Sequence, residues 1–168
     1  MTFHELNTLP KEKLAVELYR CCGSKKWVSK MFPFFPADDL VELLEDAEEQ
    51  WFKCSEADWK EAFSQHPKIG DKDSLREKFA STANWAEGEQ SGVGNASEKI
   101  LDELAKANQD YESKFGYIFI VCATGKSAEE MLEMLKSRLT NEPAIEILVA
   151  ADEQNKITKL RLQKLIEG

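Results

Sequence analysis

Two histidines are the side chains in this 168-residue chain whose ordinary pKa, about 6.5, suits proton transfer near neutral pH, and they differ sharply in setting. His4 sits near the start of the chain and reads as a surface residue. His66 lies in Gln65-His66-Pro67-Lys68-Ile69-Gly70-Asp71, a loop bounded by proline and glycine between two helical patterns. Pro67 and Gly70 favour a tight turn that can hold an imidazole at one angle, which is what a general acid or base requires. Lys68 and Asp71 beside it would push its protonation in opposite directions. On these residues alone, a capped, hydrogen-bonded loop histidine is the plainer reading. The second candidate is Glu89, in Glu87-Gly88-Glu89-Gln90-Ser91-Gly92, where glycines allow backbone to approach a ligand closely. Glu87 competes with it, and an idle surface glutamate is the plain alternative. The third is Arg161, flanked by Leu160 and Leu162. A partly buried guanidinium there needs an anion, supplied either by a protein carboxylate or by a ligand. Arg138 next to Leu139 has the same character, and spacing does not separate the two.

Other chemistries find less support. The four cysteines, Cys21, Cys22, Cys54 and Cys122, form no CxxC pair and no zinc pattern, so reduced and mostly buried thiols in a reducing cytoplasm are expected. Two distant histidines without paired acidic ligands make a zinc or iron site improbable. Gly88, Gly92 and Gly94 are wrongly spaced for a dinucleotide loop and follow no strand. A formal net charge of −9 argues against nucleic acid and against anionic membranes, though a single positive pocket could still take an anionic small molecule. No apolar run reaches the ~20 residues of a membrane span, and neither a signal peptide nor a peroxisomal ending is visible.

The elements that must carry these residues read as helices almost throughout. Pro10 suits a first helical position, with Leu14, Leu18 and Cys21 behind it and Gly23 as the stop. Trp27, Val28 and Met31 suggest a short helix that ends at Phe32-Pro33-Phe34-Phe35-Pro36, an aromatic turn more suited to core than to pocket. Residues 37–53 form an amphipathic pattern through Leu40, Leu43, Leu44, Ala47 and Trp51. Ser55-Glu56-Ala57-Asp58 resembles a capping box before Trp59 and Phe63. Residues 75–80 read as another short helix and 81–94 as irregular chain. Asn95-Ala96-Ser97-Glu98 looks like the cap of a long helix whose inner face is Ile100, Leu101, Leu104, Ala107, Asn108 and Tyr111, closed by Gly116. Tyr117-Ile118-Phe119-Ile120-Val121-Cys122-Ala123 could be strand, helix or extended chain by pattern. With no partner strand in sight, a packed segment through the core is expected. Ser127-Ala128-Glu129-Glu130 caps a helix through Met131, Leu132, Leu135 and Leu139. A last helix runs from about 142 to 165, with Ile145, Leu148, Val149, Asp152, Ile157, Leu160 and Leu165 along it. The expected architecture is one all-α domain over 1–168, an irregular bundle whose connections build a pocket.

Taken in order, these pieces resemble a known family. Gln65-His66-Pro67-Lys68-Ile69-Gly70-Asp71, Glu89-Gln90-Ser91-Gly92, Asn108, Tyr111, Phe115-Gly116-Tyr117-Ile118-Phe119-Ile120, Arg138-Leu139-Thr140-Asn141 and Arg161-Leu162 are similar in sequence and spacing to the OHCU decarboxylases, over nearly the whole chain. OHCU is 2-oxo-4-hydroxy-4-carboxy-5-ureidoimidazoline, the labile product of hydroxyisourate hydrolysis in urate breakdown. The resemblance implies an all-α fold, no cofactor, usually a homodimer, and decarboxylation of that substrate to (S)-allantoin. By position it makes His66 the catalytic histidine, Glu89 the pocket glutamate and Arg161 the pocket arginine. It assigns substrate contacts to Pro67, to Ala86, Glu87, Gly88 and Gln90, and to the backbone of Phe119, Ile120, Val121, Cys122 and Ala123. Many members have serine where this chain has Ala86, so a side-chain hydroxyl contact would be absent here or supplied by another group. The rival readings are a non-catalytic helical interaction module and a family member that has lost activity.

Overall fold

Helix starts are set by short oxygen-bearing side chains placed ahead of apolar repeats. The computed structural model describes residues 1–67, 73–75 and 93–167, with the backbone alone for 93–97. The described helices are α1 (Phe3–Thr8), α2 (Lys11–Cys21), α3 (Lys25–Met31), α4 (Leu40–Phe52), α5 (Glu56–Ser64), α6 (Val93–Phe115), α7 (Ala128–Leu139) and α8 (Pro143–Glu167), with a 3-10 turn at Phe32–Phe34. Ser24, Asp39 and Ser127 each accept the backbone N–H three residues on, which satisfies one of the donors a helix leaves open at its start. Ser55 and Asp58 form the full reciprocal box. Thr2 and Glu5 do the same for α1. That helix was not expected, although Thr-x-x-Glu announces it. Pro10 is the cap of α2 rather than its first residue. No strand occurs among the described residues, and the class is all-α.

The chain divides into two compact units. The first holds Met1–His66, Ile120–Cys122 and Ile147–Gly168; the second holds Pro67–Phe119 and Ala123–Glu146. In the first unit α3 packs on α2, α4 and α5 around Leu6, Leu18, Trp27, Met31, Leu43, Trp51 and Phe63, all shut off from water. Three indoles bury their rings and satisfy their single N–H on backbone carbonyls. Trp27 donates to Ala47 (3.0 Å), Trp51 to Ala151 (2.9 Å) and Trp59 to Trp51 (3.0 Å). The Trp51 bond ties α4 to α8. Gly23 lets the turn between α2 and α3 close on the end of α5: a Cβ there would lie 2.5 Å from Gln65 Cγ and 2.6 Å from its Cβ.

In the second unit α6 and α7 pack through Leu101, Leu104, Ala107 and Tyr111 on one side and Met131, Leu132 and Leu135 on the other. Lys114 donates to the carbonyls of Leu139 (2.6 Å) and Asn141 (3.0 Å), capping the end of α7. Gly116, at φ +82°, turns the chain out of α6. Tyr117 to Ala123 is then neither helix nor strand, and Ile120 and Val121 are buried, as a packed segment should be.

Three expectations need correction. The cap read at Asn95-Ala96-Ser97-Glu98 lies inside α6, which already starts at Val93. Asn and Ser cost a helix interior only a fraction of a kcal/mol, so a longer helix tolerates them. The Phe32 to Phe35 cluster is half-buried rather than deep core. The largest difference is α8, which turns another face inward than its leucines suggest. Ile145, Leu148 and Asp152 are exposed, while Ile147, Ala150, Ala151, Gln154, Thr158 and Leu162 are buried. The alanines allow the close approach that the Trp51 bond requires, and the polar members find partners. Of the short helix read at 75–80, residues 76–80 lie outside the described residues; 73–75 are helical.

Candidate active site

Helix α8 buries Glu146, Glu153, Gln154, Asn155 and Thr158, an unusual polar load for one helix. Buried polar groups need hydrogen-bond partners, so where they reach shows what the helix organises. Within the first unit, Glu153 accepts the backbone N–H of Cys122 (3.3 Å) and the ammonium of Lys156 (2.6 Å). This carboxylate pins the segment Ile120–Cys122. Gln154, fully buried, has its Oε1 2.5 Å from His66 Nε2, and its Nε2 donates to the Thr158 hydroxyl (3.1 Å). Residues 154, 158 and 161 lie at i, i+4 and i+7, so Gln154, Thr158 and Arg161 share one face of α8.

His66 follows the end of α5, its backbone N–H held by the Phe63 carbonyl (3.3 Å). Burial holds its pKa below the ordinary value. The bond to Gln154 offsets part of that fall, and the nearby positive charge of Arg161 adds to it. The ring is therefore neutral around neutral pH and able to accept a proton. Arg161 is half-buried. One Nη donates to the carbonyls of Arg20 (3.3 Å) and Cys21 (3.5 Å), contacts at the long end for hydrogen bonds. Among the described residues no carboxylate pairs with Arg161. Cys21 and Cys22, on the turn below, have thiols pushed up to about 12 by burial and stay uncharged.

Arg138 answers the question that spacing left open. In the second unit its Nε donates to both oxygens of Glu146 (2.6 and 3.1 Å), with the two side chains 7% and 0% exposed. Its guanidinium lies 4.5 Å from the Phe119 ring centroid, and it donates to the Tyr111 hydroxyl (3.4 Å). This arginine is structurally committed.

The first unit thus contains His66, Arg161 and Ile120, Val121 and Cys122 of the anticipated residues. Pro67 is exposed; Phe119 and Ala123 are half-buried. Glu89, Ala86, Glu87, Gly88 and Gln90 lie outside the described residues. Sequence reading missed Glu153, Gln154 and Thr158. The signal was present in Asp152-Glu153-Gln154-Asn155, four polar residues in a row that no amphipathic helix can keep wholly in water.

The OHCU decarboxylase family model matches residues 7–163. The chain belongs to that family. It is 40% identical over 148 residues to the uric acid degradation bifunctional protein TTL of Arabidopsis thaliana, covering 86% of this chain and 45% of that protein. It is 33% identical over 102 residues to the 2-oxo-4-hydroxy-4-carboxy-5-ureidoimidazoline decarboxylase of Amia calva, covering 61% of this chain and 58% of the relative. The chain spans less than two thirds of the length of both. A crystal structure of OHCU decarboxylase in the presence of (S)-allantoin superposes with a TM-score of 0.72 at 37% identity, covering 90% of this chain and 98% of that one.

Proposed function

We propose that this chain decarboxylates 2-oxo-4-hydroxy-4-carboxy-5-ureidoimidazoline to (S)-allantoin in urate breakdown, without a cofactor. Family membership sets the substrate class, and the arrangement that carries the reading is a neutral His66 bonded to Gln154 on the face of α8 that also bears Arg161, an arginine with no carboxylate partner among the described residues. When the C–C bond to the carboxylate breaks, the electron pair moves into the adjacent C=N of the substrate ring. Carbon dioxide leaves, the nitrogen of that C=N and its carbon each take up a proton, and the ring hydroxyl gives one up as it becomes a carbonyl, a net uptake of one proton. Arg161 binds an anionic oxygen of the substrate and stabilises the developing charge. His66 takes the hydroxyl proton or delivers one to carbon. Glu89 holds the ureido N–H groups. By the family resemblance, Pro67, the 86–90 segment and the backbone of 119–123 are the further candidates for substrate contacts.

We also propose a single functional domain that works as a homodimer in the cytoplasm. The family resemblance supports the dimer, which light scattering on the eluting peak tests. Four unbridged cysteines and the lack of any helix, among the described residues, long and apolar enough to span a membrane fit the location.

The test follows product handedness. Freshly generated urate-oxidation intermediate is mixed with the protein, and circular dichroism follows the chirality of the allantoin formed. The wild type should give the S form at a rate above background. His66→Asn should lower stereospecific turnover by about 10²- to 10⁴-fold while keeping the helical spectrum. Undiminished (S)-allantoin formation by His66→Asn would remove the imidazole from the mechanism.

A further inference from the structure

The His66 ring has two nitrogens, and the structure shows that one is already engaged. Nε2 faces Gln154 Oε1 at 2.5 Å, while the same amide gives its nitrogen to Thr158. A carbonyl oxygen can only accept, so a neutral ring in this contact carries its proton on Nε2 and keeps the lone pair on Nδ1. Gln154 and Thr158 are 0% and 2% exposed, so water does not compete for either bond. Gln154 is itself fixed by α8, which Trp51 ties to α4 through Ala151. The mechanism above uses His66 but assigns nothing to this amide.

We propose that Gln154, backed by Thr158, is a positioning residue that holds neutral His66 as its Nε2–H tautomer and so makes Nδ1 the nitrogen that exchanges a proton with substrate. The second half of this inference rests on the decarboxylase reading; the first does not. Among the described residues the charged group acting on the ring is Arg161, and the thiols of Cys21 and Cys22 are uncharged. An amide is suited to this post because it orients the ring without adding a charge. A carboxylate there would hold the ring protonated to higher pH and remove the base.

Nitrogen NMR of the imidazole reads the tautomer directly, and the sequence makes it simple. His4 is exposed, so His4→Gln leaves His66 as the single histidine in isotopically labelled protein. Without substrate, the neutral ring should show Nε2 protonated and Nδ1 bare. Gln154→Met, similar in length and unbranched, should give a mixture of tautomers and a lower titration midpoint, with kcat down at least about 10-fold and KM little changed. Gln154→Glu should keep the proton on Nε2, raise the midpoint, and move the acid limb of kcat to higher pH. A ring protonated on Nδ1 in the parent protein would mean the amide is reversed and would overturn the proposal. So would a Gln154→Met spectrum identical to the parent, or altered spectra with kcat and its pH profile unmoved. A parent protein that makes no (S)-allantoin would sink the functional reading and the Nδ1 role with it, while the spectra would still decide the tautomer.

Discussion

Arg138 and Arg161 look alike in the sequence, each beside a leucine on an amphipathic helix, yet the two units use them in opposite ways. In the second unit Arg138 meets a carboxylate, a phenol and an aromatic face, so its charge is fully answered by the protein. In the first unit Arg161 holds two backbone carbonyls at the edge of hydrogen-bond range, and among the described residues no carboxylate answers its charge. Burying a charge with a matched partner secures a structure; half-burying one without a carboxylate leaves binding energy for an incoming anion. The difference is made by what lies across from each helix, which a local pattern does not encode.

The comparison can be broken most forcefully at Arg138. Arg138→Met strands Glu146, which is 0% exposed, and should cost about 3–5 kcal/mol of unfolding free energy in urea titrations. A loss below about 1 kcal/mol would mean the pair is not the anchor described. Next is Gly23→Ala, whose methyl would meet Gln65 Cβ and Cγ inside 2.7 Å. The expected cost is about 1–3 kcal/mol, together with weakened turnover, because Gln65 leads directly into His66. Arg161→Lys should leave stability within about 1 kcal/mol of wild type and raise KM on the order of 10-fold, since a point charge replaces a planar fork. An unchanged KM would place Arg161 with Arg138 among the structural arginines.

The smallest effect is the pH dependence contributed by His66. Its folded pKa is lowered, chiefly by burial, so between that value and the ordinary ~6.5 the unfolded chain binds more protons. Stability should therefore rise with pH through this window and fall as the solution is acidified, a slope that His66→Asn should reduce. A reversed slope in the difference between the two proteins would show that the protonated ring is the stabilised form.

Much of the helical frame was legible because capping residues and apolar periods agree. Ser55 with Asp58, Ser127 and the stop at Gly116 all act where the pattern puts them, whereas the helix read from residue 37 starts only at Leu40, capped by Asp39. The packed run through Ile120 and Val121 was legible for a different reason: it had no strand to pair with. What the sequence concealed was the inward face of α8. Its exposed Ile145 and Leu148 mimic a core stripe, while the true inner face is alanines plus Gln154 and Thr158, whose burial is tolerable only because His66 and each other supply the hydrogen bonds. Such partners are separated by 88 residues in the chain, so no local window reveals them. The same holds for Glu153, whose partner is a main-chain N–H rather than any motif residue.

Three of the four tryptophans, Trp27, Trp51 and Trp59, sit buried in the first unit with their indoles bonded to carbonyls, whereas the second unit holds one, Trp85, which lies outside the described residues. Excited at the red edge of the absorption band, the protein carries a built-in lamp weighted toward the body that contains His66. A shift of that emission reports loosening around the imidazole, with no dye attached and no chromophore engineered in.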